Sequence, residues 1–284
     1  MKNDTVRTRL RGIGGLIRYT ESFTKEALPS FEFETHIHPS EIEVYLFSEG
    51  DLFFVFEDKR IAVEEGMVII ICNDTHHRPI IKKPCRYART HLFLSRKAMV
   101  DCDPQNLELY KRISKKRLLA IPPQRARDMG AAEIFDEIKG YLMQNDSYGE
   151  FCATVTAISL LIRGDKLCEN DEATAFCPFN DRISEIMAWI GDNLGEDINY
   201  RTVSEKFHIS PKYLYKFFKK EVGITLSRYV LERRIIKAKS VLNAGGSAGE
   251  AALSAGFDDY SVFYRCFLRE VGMTPTAYIK QLGG

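Results

Sequence analysis

Two histidines two residues apart open the segment HIHPSEIEVYLFSEG, His36 to Gly50, and Glu43 follows five residues after the second. Imidazole nitrogens and a carboxylate are the donors that bind divalent metals and also hold polar ligands. On a strand, His36 and His38 project from one face, because side chains alternate. Pro39 then interrupts the strand, and Glu43 returns on the next one. Further on, GMVIIICNDTHH (66 to 77) ends in His76 and His77, either of which could complete the set. Three readings of these groups are open. They hydrogen-bond a small-molecule ligand, they bind a metal, or they are polar side chains satisfied at the mouth of a barrel.

The elements that must position them are short strands. LFFVF (52 to 56) and VIII (68 to 71) are β-branched and aromatic runs broken by EDK, EEG and CND, and residues 14 to 95 read as an antiparallel sandwich or barrel. From about Pro123 to Gly164 the pattern turns helical, with Ile134, Ile138, Tyr141 and Leu142 at helical spacing. These helices either cover the barrel or pair two chains. GDKLCENDEATAFCPFND (164 to 181) is polar and aperiodic and reads as a linker. The 284 residues are ample for two domains. With 40 Lys+Arg against 39 Asp+Glu, charge sum alone points to no polyanionic partner. Seven cysteines, at Cys72, Cys85, Cys102, Cys152, Cys168, Cys177 and Cys266, stand singly and read as thiols in a reducing compartment. No apolar run is long enough to cross a bilayer and the first residues lack a signal-peptide core, so a cytoplasmic protein without membrane contact is expected.

After Asp181 the chain is helical and repeats itself. KKEVGITLSRYV (219 to 230) matches LREVGMTPTAYI (268 to 279) at an offset of 49 residues, and SPKYLYKFF (210 to 218) aligns with DYSVFYRCF (259 to 267). Each repeat reads as helix, tight turn, helix. Gly256 and His208 fall at the turns, where positive φ is needed and histidine tolerates it better than most residues. In the second helix of the first repeat Leu214, Phe217 and Phe218 form an inward stripe, with Lys212, Tyr215, Lys216 and Lys219 opposite. In the second repeat Phe263, Cys266 and Phe267 face inward, and Tyr260, Ser261, Tyr264 and Arg265 face out. Basic, hydroxyl and aromatic groups on an outer face suit phosphates and base edges. The segment Thr225 to Asn243 reads as one helix of 19 residues. At ~1.5 Å per residue it is roughly 28 Å long, near the ~34 Å between successive major grooves.

Residues 183 to 281, with ISPKYLYKFFKKEVGITLSRYVLERRIIKAKSVL and AGFDDYSVFYRCFLREVGMTPTAYI, resemble the DNA-binding domain of AraC/XylS-type bacterial transcription regulators. The resemblance implies two recognition helices in successive major grooves. It implies base contacts from Lys212, Tyr215, Lys216, Tyr260, Ser261, Tyr264 and Arg265, and phosphate contacts at the helix starts of Thr225 and Thr274. The chain departs from that family at Ser204, where alanine is usual, and at His208, where glycine is usual.

The spacing H-x-H-x4-E-x6-G, ending at Gly50, resembles the first cupin signature, and Gly66 to His77 is similar to the second, departing at Cys72, Asp74 and Ile81. That resemblance implies His36, His38, Glu43 and His77 as ligands of Zn, Fe, Mn or Ni. The same four residues are the candidate effector-binding set.

The expected protein is α+β with two domains. Residues 1–115 form a cupin-like effector-binding β-barrel, 116–164 a helical cover with dimerisation helices, 165–181 a linker, and 182–284 an all-α DNA-binding domain with two helix-turn-helix units. The expected function is an effector-responsive transcription regulator, an activator that senses a small molecule such as a sugar. It would act as a homodimer on double-stranded DNA, with RNA polymerase a further candidate partner. The competing class is a metal-dependent cupin enzyme or metal-dependent sensor fused to a DNA-binding domain.

Overall fold

The computed structural model describes residues 5–29, 41–56, 59–72, 75, 77–102, 108–116, 118–167 and 179–282, and divides into two units, Met1–Cys177 and Pro178–Gly284. In the N-terminal unit the strands are β1 (Thr5–Arg11), β2 (Ile17–Ala27), β3 (Glu41–Glu49), β4 (Leu52–Phe56), β5 (Lys59–Ala62), β6 (Val68–Ile71), β7 (His77–Ile81), β8 (Cys85–Ser95) and β9 (Leu118–Ile121). The helices are α1 (Arg96–Cys102), α2 (Glu108–Lys116), α3 (Pro123–Asp128), α4 (Ala131–Met143) and α5 (Ser147–Leu167).

A six-stranded sheet runs β1-β2-β8-β3-β6-β9 and a three-stranded sheet runs β5-β4-β7, with every paired neighbour antiparallel. Over its central strands the larger sheet is covered on both faces. One face carries Ile17, Tyr19, Val44, Ile70, Leu92 and Leu94 against Phe135, Ile138, Ala157 and Leu161 of α4 and α5. On the other, Tyr45, Ile69, Ile71, Leu118 and Ala120 meet Phe54, Phe56 and Ile61 of the smaller sheet. Double burial is why VIII at 68 to 71 reads as an unbroken apolar run rather than an alternating one. Helix α5 comes so close that a Cβ at Gly164 would lie 2.7 Å from Ile70 Cδ1. Its first turn is tied to the β1–β2 connection by buried Glu150, whose carboxylate accepts from Gly14 N at 2.6 Å and Leu16 N at 2.7 Å.

The segment 116–164, expected as a helical cover with its helices from about Pro123, begins with β9, which pairs with β6 and extends the sheet. LLAI is only four residues, and an apolar run that short carries no period. The 1–115 segment likewise ends in two short helices, α1 and α2. Helix α5 continues to Leu167, into the segment read as linker, because its buried Asp165 holds Arg112 Nε at 2.8 Å.

The C-terminal unit contains α6 (Asp181–Asp192), α7 (Tyr200–Phe207), α8 (Pro211–Val222), α9 (Leu226–Asn243), α10 (Ala248–Ser254), α11 (Tyr260–Val271) and α12 (Pro275–Leu282). Sequence-local capping sets each boundary. Asn199 and Ser247 form capping boxes with Thr202 and Glu250, while Ser210, Thr225 and Asp259 cap α8, α9 and α11. The repeated E-V-G closes α8 and α11 at Gly223 and Gly272, with φ of 84° and 76°. At the turns His208 has φ 52° and Gly256 φ 80°, and a Cβ at Gly256 would meet Leu194 O at 2.0 Å. The second repeat packs Phe263, Phe267 and Val271 against Ile235, Ala238, Leu242, Ala251 and Ala252, so the small alanines let α10 approach α9 closely.

Candidate nucleic-acid interface and buried polar cluster

Helices α8 and α11 each bury one side and display the other. Leu214, Phe218 and Val222 anchor α8, and Phe263, Phe267 and Val271 anchor α11. Outward stand Lys212, Tyr215 and Lys216 on α8, and Tyr260, Ser261, Tyr264 and Arg265 on α11, all exposed. Tyr215 and Tyr260 show 42% and 47% of their surface, large for aromatic side chains with an ordinary core available nearby. Phe217, expected inward, is only half-buried and stacks on exposed Tyr213 at 5.3 Å, and Cys266 is half-buried as well. Tyr213 therefore belongs to the displayed surface, where the sequence reading did not place it.

Thr225 and Thr274 sit at helix starts and cap them, their hydroxyls accepting from Arg228 N at 3.3 Å and Ala277 N at 3.1 Å. The first backbone N–H after Thr225 is already taken, since Leu226 N donates to Tyr200 Oη at 2.9 Å. The Tyr200 ring lies 5.7 Å from that of Tyr215, and Lys219 Nζ lies 5.8 Å from the Tyr215 ring centre. Tyr200 thus connects α7, the displayed face of α8 and the start of α9. Helices α9 and α11 are joined by Arg228, whose guanidinium reaches Glu232 at 3.0 Å and Glu270 at 2.8 and 2.6 Å. Burial opposes ionisation of Glu270, but its bonds to Arg228 and Arg269 hold its carboxyl below the ordinary range. Sequence spacing signalled neither contact, because both join residues brought together only by helix packing.

In the N-terminal unit His36 and His38 lie outside the described residues. Glu43 of β3 and His77 of β7 do come together, with Glu43 Oε2 at 3.0 Å from His77 Nε2 and both side chains 1% exposed. The cluster has members the sequence reading missed. Glu43 Oε1 lies 2.8 Å from His91 Nδ1, and Arg89 Nε donates to His91 Nε2 at 2.9 Å. Because His91 Nε2 accepts, its Nδ1 carries the proton that faces Glu43. His77 Nδ1 is 2.8 Å from the Thr75 carbonyl, which can only accept, so that nitrogen is a donor. Tyr45 packs on His91 at 4.0 Å, and Arg89 lies over the Tyr87 ring at 4.1 Å. Burial opposes the Arg89 charge, yet Tyr87, Tyr45 and Glu43 beside it raise its affinity for the proton. Burial also raises Tyr45 and Tyr87, which stay neutral phenols.

The described members of this cluster do not by themselves form a metal centre, and His36 and His38 of the expected set lie outside the described residues. Both Glu43 oxygens face imidazoles, His91 is oriented by a guanidinium, and Arg89 adds a positive charge to the cluster. Among the described residues no three His, Cys, Asp or Glu side chains are arranged to hold a metal ion.

Comparison with known proteins locates the C-terminal unit. Residues 203–281 match the helix-turn-helix domain family. The HTH-type transcriptional activator RhaS of Escherichia coli O139:H28 is 32% identical over 117 residues, 41% of this chain and 40% of that one. RhaS of Escherichia fergusonii is 30% identical over 115 residues, 40% of each chain. The chain thus spans about 40% of the length of these curated relatives. Among solved structures, the C-terminal domain of the two-component response regulator yesN from Fusobacterium nucleatum is 29% identical with a TM-score of 0.34, covering 35% of this chain and 99% of that one. No described helix is long and apolar enough to cross a membrane.

Proposed function

We propose that the chain is an effector-responsive, DNA-binding transcription regulator and an activator, with RNA polymerase as a further partner. The observation that carries the reading is the paired display of α8 and α11, two repeats with the same buried anchors and the same basic, hydroxyl and aromatic outer chemistry. In this reading each helix enters a major groove. Lys212, Tyr215 and Lys216 read one groove, and Tyr260, Ser261, Tyr264 and Arg265 read the next. Helix α9, of 18 residues, spaces them. Thr225 and Thr274 face phosphates through the hydroxyl protons that capping leaves over. The similarity to RhaS activators supports the sign of regulation. Selection of binding sites from random duplexes tests the reading. Enrichment of a bipartite motif supports it, and a flat pool after several rounds contradicts it.

The N-terminal unit is proposed as a cupin-like sensor, with the Glu43–His77–His91–Arg89 cluster and the His36–His38 segment as its effector-binding region. Buried polar groups in such number cost stability unless they serve a partner or a network. Homodimerisation is proposed through α5. Tyr148, Phe151, Val155 and Ile162 are exposed along its outer side at spacings of three, four and seven residues, with half-buried Ile158 between the last two, the pattern of a helix–helix seam. Tyr148 and Phe151 are 70% and 60% exposed. Ligand would then shift the balance between arrangements of the two DNA-reading units. The metal-dependent alternative is tested by elemental analysis of protein purified without chelators. About one Zn, Fe, Mn or Ni per chain would restore it, and metal-free protein that responds to effector would remove it.

A further inference from the structure

The inner face of the six-stranded sheet, the one carrying Arg89 and Glu43, can be followed strand by strand from its closed centre to its edge. Residues directly opposite in paired strands project to the same side. One row runs Tyr45, His91, Thr20, Arg9 across β3, β8, β2 and β1. On one side of it runs Phe47, Arg89, Ser22, Arg7, and on the other Glu43, Phe93, Arg18, Arg11. In every row the β3 and β8 residues are buried and the β1 arginine is exposed; between them Thr20 and Arg18 are half-buried and Ser22 is buried. The face therefore opens toward the β1 edge.

Its chemistry is one-sided. Over β1, β2, β8 and β3 this face carries five guanidiniums, Arg7, Arg9, Arg11, Arg18 and Arg89, against the carboxylates of Glu41 and Glu43. Glu41 pairs with Arg18, and Glu43 faces two imidazoles. The hydroxyls of Thr20 and Ser22 stand between the outer arginines and Arg89. Charged edge strands are common as a guard against sheet-to-sheet pairing, which accounts for exposed arginines on β1. It does not account for the Arg7 row continuing inward through Ser22 to a guanidinium more than nine-tenths buried.

We infer that the β1–β2–β8 part of this face is an oxyanion site, and that the effector is a small hydroxylated molecule bearing a carboxylate or phosphate rather than a neutral sugar. The inference rests on the sensing role proposed above and names the ligand class for it. Arginine's planar fork suits both oxyanions, with the hydroxyls of Thr20 and Ser22 as partners for ligand hydroxyls.

The test uses the full chain at constant ionic strength, titrated separately with inorganic phosphate, acetate, glucuronate, glucose 6-phosphate and glucose, with thermal unfolding as readout. Saturable stabilisation by phosphates or by carboxylates, but not by glucose, is expected, and the stronger series identifies the anion. Arg9→Gln and Arg7→Gln, both at exposed positions, should each weaken that response by about fivefold or more, the loss of one charge-assisted contact. These variants separate this site from anion binding to the basic helices of the C-terminal unit. Equal response to glucose and glucuronate, no saturable response to any anion, or a response unchanged in both variants would overturn the inference. Duplex binding by the same preparations is measured in parallel. Intact DNA binding without an anion response sinks this site alone, whereas an anion response without DNA binding sinks the regulatory reading.

Discussion

Tyr200 and Leu226 have partners in the second repeat that differ together. At the repeat offset of 49 residues Tyr200 corresponds to Gly249 and Leu226 to Pro275. Proline has no N–H to satisfy, so the second unit needs no hydroxyl there, whereas the first supplies one at 2.9 Å. Tyr200→Phe should lower stability of the C-terminal unit by about 1–2 kcal/mol, the cost of leaving a mostly buried N–H without its acceptor. Chemical denaturation checks this, and an unchanged midpoint would show that water replaces the hydroxyl. Arg265→Ala should cost about 1–3 kcal/mol of binding and relax base choice at one position if the side chain reads a guanine. Titrating duplexes substituted at each position decides it, since uniform weakening would assign Arg265 to phosphate. The displayed residues were legible because helical spacing alone sorts them onto one side. His91 and Arg89 were not, because only the pairing of β3 with β8 sets Tyr45 opposite His91 and brings both residues to Glu43.

Helices α9 and α11 are held in register by a charge contact that has a definite pH signature. The Glu270 carboxyl is depressed in the folded state, so its contribution is fully present above the ordinary carboxylate range and is lost as pH falls through the folded value. Glu270→Gln should therefore destabilise the chain by about 1–3 kcal/mol at neutral pH, with the difference from the parent shrinking as pH falls below the ordinary carboxylate range. Denaturation curves across that range test it, and a pH-independent difference would assign the loss to packing. At this scale the helices were readable from caps and turn residues, and β4 and β6 from their β-branched and aromatic runs. Strand β9 was not, because four apolar residues fit a strand and a buried helical turn equally well.

The seam on α5 makes the whole molecule a proposed dimer, and its exposed aromatic and branched side chains can be altered without touching the core. Phe151→Glu combined with Val155→Glu should convert a dimer to a monomer in sedimentation equilibrium while leaving thermal unfolding of each unit in place. A parent chain that sediments as a monomer would remove α5 from the mechanism. The central claim is that one chain reads two successive grooves through α8 and α11. Hydroxyl-radical footprinting of the full chain on its selected site tests this most directly. Two protected patches per chain are expected, about 10–10.5 base pairs apart on one face of the duplex. Lys216→Ala should weaken one patch and Arg265→Ala the other. A single patch, or protection that does not depend on sequence, would contradict it.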